Sequence, residues 1–189
     1  NDGAVDSAAA TVGIAITAVN DVPVATAQTD VEATEQTAVT IVLAATDADG
    51  DDLTYSIVTA PSSGTATLDG TTITYTSTSD TATSDSFTFK VNDGAVDSAA
   101  ATVGIAITAV NDVPLAVADA LTVDEDAAIT NTDVIANDTD VESDTLTLTA
   151  ASTAGTGTVA VNADGVSVDY TPAADFNGTE TITYTVSDG

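Results

Sequence analysis

The sequence predicts an all-β protein made of tandem β-sandwiches, and three observations lead there. Residues 1–23, NDGAVDSAAATVGIAITAVNDVP, recur letter for letter at 92–114, so the chain is a repeat protein with a 91-residue period. Its apolar residues alternate with a period of two, which marks half-buried strands. No window carries a 3.6-residue apolar stripe, and β-branched Thr, Val and Ile dominate. About seven short strands per unit with essentially no helix suggest immunoglobulin-like sandwiches.

Residues 1–19 read as the tail of one unit, 20–110 as a whole unit, and 111–189 as a diverged unit without its tail, because VNDG at 91–94 is answered by VSDG at 186–189. Starting and stopping inside repeats, and lacking Met, the chain is expected to be a piece of something longer. In SFTFKV, Phe87, Phe89 and Val91 share one face and Thr88 and Lys90 the other. Val103, Ile105 and Ile107 form the same pattern. Asp69-Gly70, between TATL and TTITYT, is a two-residue hairpin signal, since primed turns need positive φ. Asn162 to Gly165 is its counterpart in the third unit. With aromatics at 4%, the cores are built mainly from Val, Ile and Leu, with Tyr55, Tyr75, Phe87 and Phe89 as the large fillers of the complete unit.

Thirty acidic residues stand against one basic residue, Lys90, and a formal charge of −29 excludes attraction to phosphate backbones or anionic lipid. Nucleic acid and membrane insertion are therefore not expected of this stretch, which also has no apolar run that could span a bilayer. Without Cys, no disulfide braces units of about 90 residues, so another stiffening device is expected. An apolar content of 43% argues against disorder.

The acids cluster. Asp47, Asp49, Asp51 and Asp52 fall in DADGDD before LTYSI, and Asp138, Asp140, Glu142 and Asp144 occupy the same place in the third unit. Asn20-Asp21 and Asn111-Asp112 sit at the unit boundaries, Asp93-Gly94 and Asp188-Gly189 end a strand, and Glu35 and Glu125 come early in their units. Hard oxygen ligands at alternate loop positions suit Ca2+, which takes six to eight oxygens in flexible geometry. An EF-hand is excluded, because counting Asp47 as position one puts Asp52 where the turn glycine belongs and Val58 where the bidentate Glu belongs. Aspartate is also a common turn residue, so the bland alternative is that these acids only shape loops.

ATDADGDDLTYSI (45–57), FKVNDGAVDSAAATVGIAITAVNDVP (89–114) and YTPAADFNGTETITYTVSDG (170–189) together resemble the cadherin fold as used in bacterial cadherin-like and VCBS-type repeats of giant RTX-type surface adhesins. The resemblance covers nearly the whole chain and implies tandem cadherin-like sandwiches with Ca2+ at each junction. Carried over, the first junction would use Asn20, Asp21, Asp47, Asp49 and Asp93. The second would use Glu35, Asn111, Asp112, Asp138, Asp140 and Asp188, and Glu125 is the third unit's version of Glu35. Ala18 and Ala109 stand where cadherin linkers carry a further Asp, and Val22 and Val113 where they carry an Asn, and no segment matches cadherin LDRE. That implies one or two ions per junction.

Lacking His, Cys and Arg, the chain has none of the usual general bases, thiol nucleophiles or guanidinium clamps, so it is not expected to be an enzyme. A Lys90 isopeptide crosslink is disfavoured because alternation puts Lys90 on the solvent face. The expected function is that of extender modules in a large secreted bacterial surface adhesin, located outside the cell and stiffened by Ca2+. Strands of about ten residues would give each unit a long axis of roughly 35–40 Å. Two carboxylates about 4 Å apart repel by roughly 4 kcal/mol at an effective dielectric near 20, so an ion-free junction should swing open. Two alternatives are a calcium-dependent carbohydrate-binding module and a self-assembling extracellular filament. For the filament, residues 4–19 are an orphan strand, and Val12, Ile14 and Ile16 would enter the third unit of another molecule.

Overall fold

The computed structural model describes Gly3 and residues 6–189, and every regular element among them is a β-strand. The unit at 20–110 begins with β1 (Val24–Thr26), β2 (Gln28–Thr34), β3 (Val39–Val42) and β4 (Ala44–Thr46). It continues with β5 (Thr54–Thr59), β6 (Gly64–Asp69), β7 (Thr72–Ser77), β8 (Ser84–Asn92) and β9 (Ala101–Thr108). One sheet has the order β2-β9-β8-β5, a second β3-β7-β6, and β1 pairs with β4. Only Ala27 separates β1 from β2 and only Leu43 separates β3 from β4, so nine segments trace seven strand paths, as a sandwich of immunoglobulin type requires. Last strand β9 is the keystone: it runs antiparallel to β8 and parallel to β2, bonding both.

Alternation puts Ile41, Leu43, Ile73 and Tyr75 of one sheet against Phe87, Phe89, Val91, Val103, Ile105 and Ile107 of the other, all buried. Tyr55 stacks on Phe89 with ring centroids 6.2 Å apart. Tyr75 lies flat over the start of β6, where Gly64 leaves the room: a Cβ there would stand 2.6 Å from the ring. Its hydroxyl donates to Asp85 Oδ2 at 3.0 Å, and the same carboxylate takes the backbone N–H groups of Ser62 and Ser63. Burial first, then the Asp85 carboxylate, pushes the Tyr75 hydroxyl up to about 12. Tyr170, Glu180 and Gly157 rebuild this lock in the third unit: the Tyr170 hydroxyl donates to Glu180, and a Cβ on Gly157 would stand 2.8 Å from the Tyr170 ring.

One hairpin differs in detail from its sequence reading. Asp69 pairs with Thr72, so the turn residues are Gly70 and Thr71 rather than Asp69 and Gly70. Gly70, at φ +59, takes the first turn position, where a two-residue loop can use glycine's positive φ.

The unit at 111–189 contains β10 (Ile129–Asp133), β11 (Thr147–Thr153), β12 (Thr158–Val161), β13 (Ser167–Thr171) and β14 (Ile182–Ser187). They form a β10-β13-β12 sheet and a β11-β14 pair. Of the β1–β4 pairing only a Leu115–Thr139 bridge survives, and residues 116–124 form no strand. The buried cluster shrinks from twelve residues to Val134, Ile135, Leu148 and Val168, so this half-sandwich has a much thinner core. Residues 6–19 form no strand and are exposed throughout.

Candidate metal centre

The acids gather where loops from adjacent units meet. In the β4–β5 loop, Asp47 Oδ1 accepts the N–H groups of Asp49, Gly50 and Asp51 at 2.9, 3.0 and 3.2 Å, wrapping the loop around one carboxylate oxygen. Gly50, at φ +80, permits the tight turn. This leaves Asp47 Oδ2 buried with no partner, and ligand atoms of Asp47, Asp49 and Asp51 lie within 4.8 Å of one another. The linker docks on this loop through the Asp21 N–H, which donates to Asp49 Oδ2 at 2.7 Å. The Asn20 amide donates to Asp93 Oδ2 at 3.0 Å. The Val96 N–H, the Asn20 amide and the Ala95 N–H hold the Asp93 carboxyl below the usual carboxylate range, so it stays ionised.

The second junction repeats the first. The Asn111 amide donates to Asp188 Oδ2 at 2.8 Å, and the Asp112 N–H donates to Glu142 Oε2 at 3.2 Å. Asp140 Oδ1 accepts the Asp144 N–H, and Asp140, Glu142 and Asp144 form a triple within 4.8 Å. A third triple lies here among the described residues: Glu35 and Asp80, from the end of the preceding unit, meet Asp112 of the linker. Asp112 thus joins the two units' acids. Burial first, then the charges of Glu142, Asp80 and Asp140, raises its pKa above the usual range.

Partnerless oxygens mark the same place. Asp112 Oδ2, Asp138 Oδ2, Asp140 Oδ2 and Glu142 Oε1 are buried without a hydrogen bond. Glu35 is 3% exposed, and only its backbone N–H is bonded, to Thr108 O at 3.0 Å. Leaving such groups unpaired is costly. Oxygens 4.8 Å apart can share one Ca2+, because two ligands at 2.3–2.6 Å span up to about 5 Å. The donor set is all oxygen, as that ion prefers.

The expected residues are therefore partly regrouped. Asn20, Asp21, Asp47, Asp49 and Asp93 come together, as do Glu35, Asn111, Asp112, Asp140 and Asp188. By position in the loop the counterparts of Asp47, Asp49 and Asp51 are Asp140, Glu142 and Asp144, while Asp138 lies just before this triple with its Oδ2 buried and without a hydrogen-bond partner. Asp138 Oδ1 accepts the Val117 N–H at 2.7 Å and the Tyr184 hydroxyl at 3.1 Å, fastening the segment after the linker to β14. Glu125 is exposed on the turn equivalent to that of Glu35, preceding Asp126 at φ +65 as Glu35 precedes Gln36 at φ +53. Asp51, Asp80, Glu142 and Asp144 join the site although the resemblance did not assign them. Three of these stood in the acidic runs. Asp80 carried no signal, being far from Glu35 in sequence and brought to it by the β7–β8 connection. Lys90 is half exposed and paired with Asp97 at 2.5 Å.

Paired sandwiches joined by a two-residue acidic linker define an immunoglobulin-like repeat array. The chain belongs to the bacterial Ig domain family, which matches residues 20–106 and 111–189. No curated protein matches it in sequence. Among solved structures it is similar to an endo-fucoidan hydrolase of glycoside hydrolase family 107, at 22% identity and a TM-score of 0.43, covering 87% of this chain. It spans 28% of that hydrolase's length. Domains 5–6 of the S-layer protein SbsC match at 17% identity and a TM-score of 0.30, covering 86% of this chain and 91% of that one. Titin domain M7 matches at 16% and 0.33, covering 49% of this chain and all of that one. Among the described residues no helix is long and apolar enough to cross a membrane.

Proposed function

We propose that these units are calcium-stiffened extender modules of a bacterial surface adhesin, placed outside the cell to hold a binding domain at a distance. The observation that carries this reading is Glu35, buried and without a side-chain partner, directed with Asp80 at Asp112 of the next unit's linker. A divalent cation there would neutralise carboxylates from two units at once and fix the angle between them. The cadherin-like and RTX-adhesin resemblance supports the same reading. Nothing in the site supports catalysis, and Tyr75, Phe87 and Phe89 are buried, which removes them as a sugar platform.

Calorimetric titration of the decalcified protein with Ca2+ should show binding. EGTA should lower the melting temperature, and small-angle scattering should then report a wider spread of inter-unit angles. Asp112→Asn and Glu142→Gln should each weaken binding at least about tenfold, while Asp69→Ala in the hairpin should leave it unchanged. Melting and scattering indifferent to EGTA would sink the reading.

A further inference from the structure

The connection between β13 and β14 carries five residues that neither the sandwich core nor the metal centre uses, Asp175-Phe176-Asn177-Gly178-Thr179. Asn-x-Thr with no Pro at x is the acceptor pattern for N-linked glycans, and an acid two residues before the Asn gives a transferase a charge to grip. A second Asn-x-Thr stands at Asn137-Asp138-Thr139, with the uncharged Ile135 in that upstream position. The two differ further in how the fold holds them.

Asn177 is exposed and lies outside every strand. Both flanks of its loop are fixed. The Asp175 N–H donates to Asp126 Oδ1 at 2.9 Å and the Phe176 N–H to Ala173 O at 3.1 Å, while Glu180 is held by the Tyr170 hydroxyl and the Gly157 N–H. Between these anchors no hydrogen bond ties Asn177, Gly178 or Thr179 among the described residues, and Gly178, at φ +146, takes a conformation that a side chain would resist. Asn137 is the opposite case. Its amide donates to Val117 O at 3.2 Å, and Thr139 exchanges both backbone bonds with Leu115 at 2.7 and 3.1 Å. A transferase must bend its acceptor until the Asn amide and the hydroxyl two residues on reach one active site, which a bridged Thr139 resists. On the register of Asp85 and Glu180, the loop that corresponds to Asn177's in the complete unit also faces solvent, with Thr81 and Thr83 exposed and Ala82 half-buried where Asn177 stands. The loop is therefore accessible with β9 in place.

We propose that Asn177 is an N-glycan acceptor, taking a sugar chain from a polyprenyl-diphosphate-linked donor. The amide nitrogen attacks the anomeric carbon of the first sugar. A C–N bond forms, the C–O bond to the diphosphate breaks, polyprenyl diphosphate leaves with the electron pair, and the amide gives up one proton to a base of the transferase. This rests on the reading that the chain is placed outside the cell, since exported chains meet such donors. The loop lies at the end of β14 away from the linker, because Thr153 pairs with Ile182 there and Thr147 with Ser187 at the other end. A glycan on Asn177 thus stands clear of Asp112, and loss of glycosylation and loss of Ca2+ binding are separate failures.

The chain exported to the periplasm of a bacterium carrying an oligosaccharyltransferase and its polyprenyl-diphosphate-linked oligosaccharide should gain one glycan, read as a single mass increment and mapped to Asn177 by peptide fragmentation. The purified, folded chain should accept the same glycan from solubilised transferase and donor, in Ca2+ and in EGTA alike. Asn177→Gln and Thr179→Ala should abolish the modification, and Asn137→Gln should leave it unchanged. Asp175→Ala should lower occupancy at least about tenfold, the worth of one charge-assisted contact. Asp175, Asn177 and Thr179 are all exposed, so an unchanged melting temperature should accompany each of these variants. An unmodified chain, a glycan on Asn137, a glycan added only after unfolding in urea, or Asn177 converted to Asp with no glycan attached would overturn the proposal.

Discussion

The units at 20–110 and 111–189 are built to one plan, yet the first closes around twelve buried core residues and the second around four. Turn, tyrosine lock and linker docking are present in both, and the two differ in the strand pairing beside β8 and β14. Where β9 is present, β2 forms beside it and Phe87, Phe89 and Val91 vanish from the surface. Beside β14, which is paired with β11, the segment ADALTVD (118–124) is irregular although Leu121 and Val123 alternate as a strand should. Strand formation at a sandwich edge is thus decided by the partner more than by propensity.

The sharpest way to break this comparison is to empty equivalent core positions. Phe89→Ala should cost the complete unit about 3–5 kcal/mol, as a fully buried aromatic does. Tyr184→Ala, on the open β14, should cost the third unit roughly half as much, measured by urea unfolding with the two transitions resolved. Equal losses would mean that β14 is already covered. Next, appending residues 95–110 after Gly189 should supply the strand from the same polypeptide. Amide exchange across 118–124 should slow about a hundredfold, equivalent to about 3 kcal/mol of local stability. In that extended chain Tyr184→Ala should become as costly as Phe89→Ala.

Much of this was legible beforehand. Letter-for-letter repetition set the units, and the two-residue period set the core faces, because burial on one side of a sheet leaves its mark at every second residue. The acids were legible as a cluster but not in register. The offset between equivalent residues drifts from 91 at Asn20 and Asn111 to 93 at Asp47 and Asp140, and to 95 at Asp93 and Asp188. A fixed 91-residue spacing therefore pairs Asp47 with Asp138, whereas the loop triple aligns it with Asp140. Asp80 was invisible because its role depends on which loop ends near Glu35, a property of the fold. The lock went unread even though Tyr75–Asp85 and Tyr170–Glu180 share a ten-residue spacing, since the backbone donors at Ser62, Ser63 and Gly157 come from another strand's approach.

That lock gives a smaller test. Asp85→Ala removes the acceptor of the Tyr75 hydroxyl and of the Ser62, Ser63 and Ser86 N–H groups, which should cost about 1–3 kcal/mol. Tyr75→Phe should recover most of the hydroxyl's share but not that of the backbone groups. A double variant no worse than Asp85→Ala alone would show the two side chains acting as one unit.

The smallest expected effect is the pH dependence of the lock, and its sign follows from the charged forms. Burial opposes ionisation of Asp85, but the N–H groups of Ser62, Ser86 and Ser63 and the Tyr75 hydroxyl outweigh it, so its pKa is lowered on folding. A lowered carboxyl contributes stability above its unfolded pKa, near 3.9, and loses it as pH falls through the folded value. Tyr75 is the reverse case: raised to about 12, it contributes fully below the unfolded value of about 10 and loses that contribution as pH rises toward 12. Tyr184, raised to about 12 by burial and then by Asp138, behaves likewise in the third unit. Spectrophotometric titration of the tyrosines should therefore show delayed ionisation for these two, and for Tyr170, whose pKa the hydrogen bond to Glu180 and then burial raise, with unfolding of each unit accompanying it. Asp85→Ala should bring Tyr75 back toward 10 and leave Tyr184 where it was, because the two hydroxyls sit in separate units. If both tyrosines moved together, the lock and the β14 contact would be one cooperative structure and the two-unit comparison would fail.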